Sequence, residues 1–118
     1  MITVDLVLEN GGSLVSASAS GHALHGSRGT DIVCAAVSVL MRTTLTVLES
    51  GGARLRVESA GRGSLSMTVL ACTPAGRPLL DYAGAFLHQG IGSLAVEYPE
   101  SVRIREKRVS SSIEVLEE

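Results

Sequence analysis

Two residues in the first third of the chain have side chains suited to nucleophilic chemistry. Cys34 can attack a carbonyl carbon as its thiolate, and His22 can take and return a proton near neutral pH. Around His22 runs Gly21-His22-Ala23-Leu24-His25-Gly26-Ser27-Arg28-Gly29-Thr30-Asp31, with glycines at 21, 26 and 29. Such a stretch reads as a mobile loop rather than a regular element. Thr30 or Asp31 then offers a side-chain oxygen to cap a helix running to about Glu49. On that reading Cys34 falls in the first helical turn, where unpaired N–H groups and the helix dipole favour a thiolate. A loop folding back over the helix start brings His22 to the sulfur as its base. The plain alternative is that Cys34, between Val33 and Ala35, packs as a small apolar residue.

The neighbouring polar residues carry two readings each. Asp31 either caps the helix or orients His22, as the third member of a triad does. Ser38, one turn beyond Cys34, either bonds back to the carbonyl of residue 34 or supports the site. His25 either lines a peptide channel or is a solvated loop residue. His22, His25 and Cys34 have the ligand types that zinc takes. Three ligands on a glycine-rich loop make a poor structural site, so neither metal nor cofactor is expected. Cys72 falls among serines and threonines of a later strand and reads as inert. A bridge to Cys34 needs Cα atoms within about 7 Å, which spacing alone does not give. His88 sits on a helix at a solvated or interface position.

The elements that must hold these residues follow from periodicity. Ile2, Val4, Leu6 and Leu8 alternate with Thr3, Asp5 and Glu9, marking a strand with one buried face. Asn10-Gly11-Gly12 is a turn signal, and Leu14 to Ser20 returns as a second strand to make a hairpin. The first helix carries Val33, Val37, Leu40, Thr44 and Leu48 on one face, and Gly51-Gly52 stops it. Leu55 and Val57 mark a third strand, and Leu65, Met67, Val69 and Ala71 a fourth. Pro78 opens a second helix with Leu79, Ala83, Phe86, Leu87, Gly90 and Leu94 at helical spacing, ended by Pro99. Its glycines 84, 90 and 92 suggest close packing against the sheet or the first helix. Val102 and Ile104 give a fifth strand. The order is β-β-α-β-β-α-β, which predicts an α+β domain with a mostly antiparallel sheet and two helices packed on it. That domain spans residues 1–109, and residues 110–118 read as a polar tail.

Composition bounds the class. With 118 residues, 45% hydrophobic and 19% charged, the chain suits one globular domain. Aromatic residues are only 3%, which excludes a stacking platform for single-stranded nucleic acid. A net charge of −2 argues against a direct nucleic-acid partner and suits a basic peptide better. No apolar run of membrane-spanning length and no leader pattern is read, and the two cysteines read as free thiols of a reducing compartment. The expected location is the cytoplasm, away from membranes.

Residues 21–40, GHALHGSRGTDIVCAAVSVL, resemble the signature of the ribosomal-processing cysteine protease family, Prp. The likeness rests on the Gly-His-Ala opening, the spaced glycines, the Asp-Ile-Val-Cys-Ala core and the serine four residues after the cysteine. Met-Ile-Thr-Val-Asp at the start and Glu97-Tyr98-Pro99-Glu100 resemble the family too, so the likeness extends over most of the chain. It departs from the family at Ser27, Arg28, Thr30 and Met41-Arg42, and leaves the Cys-His pair alone.

The resemblance implies a cytosolic, homodimeric endopeptidase that removes a short N-terminal extension from a large-subunit ribosomal protein, number twenty-seven. Carried over by position, Cys34 would be the nucleophile and His22 the general base and acid. Gly21, Gly26 and Gly29 would let the loop close over the peptide. An apolar subsite beside the cysteine would receive the residue before the cut. Two other classes stay open at this point: a non-enzymatic clamp for the same peptide, and a thiol redox sensor at Cys34.

Overall fold

The apolar alternation at the start of the chain forms strand β1 (Ile2–Glu9), and after the glycine turn the chain returns antiparallel as β2 (Leu14–Ser20). The computed structural model describes residues 1–21, 28–59, 64–111 and 113–117, giving 28–31 by their backbone alone. Helix α1 (Arg28–Ser50) follows, then β3 (Ala53–Glu58), β4 (Ser64–Cys72), α2 (Arg77–Glu97), β5 (Val102–Val109) and the short β6 (Glu114–Val115). This is the expected α+β architecture, with both helices on one face of a mostly antiparallel sheet.

The sheet order is β3-β4-β2-β1-β5, with β6 against β4. Periodicity gave the strands but not this order. β1 lies between its hairpin partner and β5, which it pairs in parallel from Ile2↔Val102 to Glu9↔Val109. The segment read as a polar tail adds an unforeseen strand. Ile113 is 7% exposed, β6 runs parallel to Ala71–Cys72, and the Leu116 N–H donates to the Cys72 carbonyl at 3.0 Å.

One face of the sheet supplies the core. Val4, Leu6, Ala17, Met67 and Val69 are buried, meeting Val33, Val37, Met41 and Leu48 of α1 and Leu80, Leu87 and Ile91 of α2. Two positions depart from the periodic reading. Met41 rather than Leu40 lies deepest in the middle of α1. Phe86, whose spacing fits a core face, is 48% exposed. Leu80, Ala83, Leu87 and Ile91 define the inner stripe of α2, and Phe86 stands about 100° around the helix from Leu87.

The hydropathy of α1 also needs correction. Residues Ile32–Ser50 reach a mean hydropathy of 1.7, long and apolar enough by composition to cross a membrane. The same residues make a core helix: Val33, Val37, Met41 and Leu48 are buried against the sheet.

The start of α2 is tied to the β1–β2 turn at three points. Arg77 donates to the carboxylate of the buried Glu9, Ser13 donates to Asp81, and Gly84 lies against the carbonyl of Gly12. A Cβ on Gly84 would collide with that carbonyl, one on Gly90 would come within 3.2 Å of Leu40 Cδ1, and one on Gly92 would meet nothing within 4 Å. The sign of a Gly→Ala change therefore depends on position. Gly92→Ala is expected to stabilise by roughly 0.5–1 kcal/mol through helix propensity. Gly84→Ala is expected to destabilise by about 1–3 kcal/mol through overpacking. Urea unfolding of both variants checks this, and a stabilised Gly84→Ala protein would contradict the close approach.

Candidate active site

The inner face of α1 decides where the cysteine sits. Val33 and Val37 are 0% and 4% exposed, while Ile32 and Val39 on the opposite side are each 62% exposed. Cys34 follows Val33 by one step of about 100° around the helix. Its thiol therefore lies at the margin of the buried face, half-buried against the core and unbridged. It is neither sealed inside nor fully open to water. Ser38, one turn further on, is exposed. The hydroxyls that bond back to a carbonyl four residues earlier are instead those of Thr44, Thr46 and Ser50.

The start of α1 overturns one expectation. The helix begins at Arg28, so Thr30 and Asp31 lie within its first turn and not at the capping position ahead of it. Gly29 is likewise helical rather than part of the loop. Cys34 is the seventh helical residue, beyond the first four N–H groups that a helix leaves unpaired. Dipole effects fade within the first turn, so little of that field reaches the sulfur. Activation of the thiol then has to come from a neighbouring side chain. The Cys34 amide lies within the hydrogen-bonded part of α1 and is not a free donor. Gly29 is helical despite the poor helix propensity of glycine, which is why this stretch reads as loop from its residue types.

Gly21 begins the intervening segment with φ of +110°, the left-handed region where glycine carries no steric penalty. A Cβ there would strike the Met1 carbonyl, so the chain leaves β2 tight against the start of β1. His22, His25 and Gly26 lie outside the described residues, as does any contact of theirs with Cys34 or with a metal. The side chain of Asp31 lies outside them too. Among the described residues no cluster has the make-up of a metal site.

Cys72 contrasts with Cys34. It is 3% exposed in the core cluster, not on the polar face its serine and threonine neighbours suggested, and burial pushes its thiol pKa up. Alkylation of the native protein with iodoacetamide is expected to modify Cys34 alone, with Cys72 reacting only after denaturation. Peptide mass mapping reads the result. Rapid native labelling of Cys72 would contradict its burial.

An apolar groove of about 220 Å³ runs between the helices, lined in part by Thr43, Val47, Leu79, Tyr82 and Phe86, and Cys34 is not among its lining residues. His88, expected at a solvated or interface position, is exposed on α2 and pairs with the Glu106 carboxylate of β5.

Comparison with known proteins places this arrangement. The family model described as cysteine protease Prp matches residues 1–103, a span that holds both His22 and Cys34. The chain belongs to the Prp family. No curated protein matches it by sequence. SMU.848 of Streptococcus mutans is similar in structure, with 30% identity, a TM-score of 0.74, and coverage of 92% of this chain and 99% of that one. The essential ribosomal processing protease Prp of S. aureus, solved with a substrate peptide, is similar at 24% identity and a TM-score of 0.69. That match covers 91% of this chain and 100% of that one. The same S. aureus protease with a covalently linked product peptide is also 24% identical, with a TM-score of 0.70 and coverage of 91% and 100%. The likeness to the S. aureus enzyme shows a shared fold. The Prp family match covers residues 1–103, which include the half-buried cysteine of α1.

Proposed function

We propose that the chain is a cysteine endopeptidase that removes a short N-terminal extension from a large-subunit ribosomal protein, number twenty-seven. The observation that carries this reading is the family match across residues 1–103, together with a thiol at Cys34 that is free and partly accessible. The S. aureus relative, solved with substrate and covalently linked product peptides, supports a peptide ligand for this fold.

In this mechanism His22 takes the proton of the Cys34 thiol, and the sulfur attacks the scissile carbonyl carbon. The tetrahedral intermediate collapses to a thioester as the C–N bond breaks, and His22 gives its proton to the leaving amine. Water, deprotonated by His22, then attacks the thioester, releases the extension as a carboxylic acid and restores the thiol. Because the amide of Cys34 is inside the helix, the oxyanion takes its hydrogen bonds from the first turn of α1 or from the backbone before it. Gly21 and Gly26 give the preceding segment the freedom to close over the peptide, and an apolar subsite beside the cysteine receives the residue before the cut. Asp31 and Ser38 are left as supporting positions. The working form is a homodimer in the cytoplasm.

The test is direct. The purified chain is incubated with the ribosomal protein bearing its extension, and the products are sized by mass spectrometry. Two fragments meeting at one bond are expected. Tight binding with no cut product would favour a peptide clamp, and peroxide-dependent modification of Cys34 without cleavage would favour a redox sensor.

A further inference from the structure

The face of the sheet turned away from the helices has a character that the net charge conceals. Val4, Leu6, Ala17 and Met67 point into the core, so strand alternation sends their neighbours to the opposite side. There the register lines up Thr3 with Ser20, Ser18 with Ser66 and Ser16 with Thr68, so that hydroxyls pave the three central strands. Along the β5 edge of this pavement Arg103, Arg105 and Lys107 stand opposite Thr3, Asp5 and Val7.

Signs are segregated on β5. Its one acid, Glu106, alternates to the helix side, where it pairs with His88. The carboxylates on the open side are already matched. Asp5 takes two hydrogen bonds from Arg105, at 2.6 and 3.1 Å, which hold its carboxyl below the usual range. Glu58 pairs with Arg56 at 3.5 Å. Arg103 and Lys107 are exposed and make no ion pair among the described residues. A chain of net charge −2 thus presents a sheet face with surplus positive charge. Protection of an edge strand against aggregation calls for charge but not for one sign on one face.

We propose that this open face docks the phosphate–ribose backbone of structured RNA, with Arg103 and Lys107 on phosphates and the serine and threonine hydroxyls on phosphate and 2′-OH groups. Contacts of this mixture position a nucleic acid without reading its sequence. No aromatic residue lies on β1 to β5, since Tyr82 and Phe86 are on α2 and Tyr98 follows it. Base stacking is therefore not on offer, and a duplex read by shape is the fitting ligand. The proposal stands apart from the peptidase reading, because neither cation belongs to the candidate active site.

Fluorescence anisotropy with a labelled RNA hairpin tests it. Binding in the range of roughly 10⁻⁴–10⁻⁶ M is expected at low salt, with a log–log salt slope of about −2 for two phosphate contacts. Arg103→Glu with Lys107→Glu is expected to weaken binding by about tenfold or more while leaving the thermal midpoint and peptide cleavage unchanged. The pair Arg103→Gln with Lys107→Gln gives a milder loss and carries the test if the reversal variant does not fold. Absence of binding at about 50 mM salt, where the Debye length is about 14 Å, would overturn the proposal. So would unchanged affinity in both variants, or equal affinity for polyglutamate or anionic vesicles.

Discussion

Cys34→Ala is expected to reduce cleavage of the extended ribosomal protein to background while still binding the peptide. His22→Ala is expected to lower the rate by about 10²–10⁴-fold, the usual contribution of a general acid–base group. The two effects should not add, because the thiolate and its base act as one unit. Single-turnover cleavage followed by mass spectrometry reads the rates, and calorimetric titration of the Cys34→Ala protein reads the binding. The helix start at Arg28 makes His22 more important than a cysteine at the helix tip would have. A field from the first turn would ease only the ionisation of the thiol, and proton delivery to the leaving amine and activation of water would still fall to His22. Near-normal cleavage by His22→Ala would therefore remove the dyad.

The largest stability effect is expected at the foot of α2. Glu9 is 6% exposed, one carboxylate oxygen is bound by Arg77, and the other is buried without a hydrogen-bond partner among the described residues. Removing the guanidinium leaves that charge uncompensated. Arg77→Met is expected to cost about 2–3 kcal/mol, less than a fully buried pair because the arginine side chain is 36% exposed. The double variant Glu9→Leu with Arg77→Met removes the stranded charge as well, and should return to within about 1 kcal/mol of the starting protein. Urea denaturation of the three proteins makes the comparison. If the double variant is no more stable than Arg77→Met alone, the stranded carboxylate is not the source of the loss.

Local patterns made the hairpin and both helices legible. Ile2 to Leu8 and Leu14 to Ala19 alternate so regularly that one buried face is the only economical reading, and the structure buries it. What periodicity cannot carry is partnership between distant segments. Nothing in Val102 and Ile104 says that they line up beside Ile2 and Val4 rather than beside β4. The same blindness hid the pairing of Glu114 and Val115 with the end of β4, and placed Phe86 in a core it does not enter. At the site, residue types and spacing were readable in the twenty-residue signature, but the field around the thiol was not. Three residues of helix, from Arg28 to Thr30, decide whether Cys34 feels the helix end, and Gly29 disguised them.

The pairing of β1 with β5 sets the timetable on which this protein becomes complete. Ile2 must wait for Val102, a separation that takes synthesis on the order of 5–20 s at ~5–20 residues per second. Throughout that interval the nascent hairpin carries an open strand edge of unpaired backbone groups, on which misassembly can begin. Docking of the last long strand closes it, and only then does the layer supporting α1 acquire its finished shape. Maturation of the enzyme is in this sense tied to late translation, and slow, topology-limited folding is the behaviour to expect of it in refolding experiments.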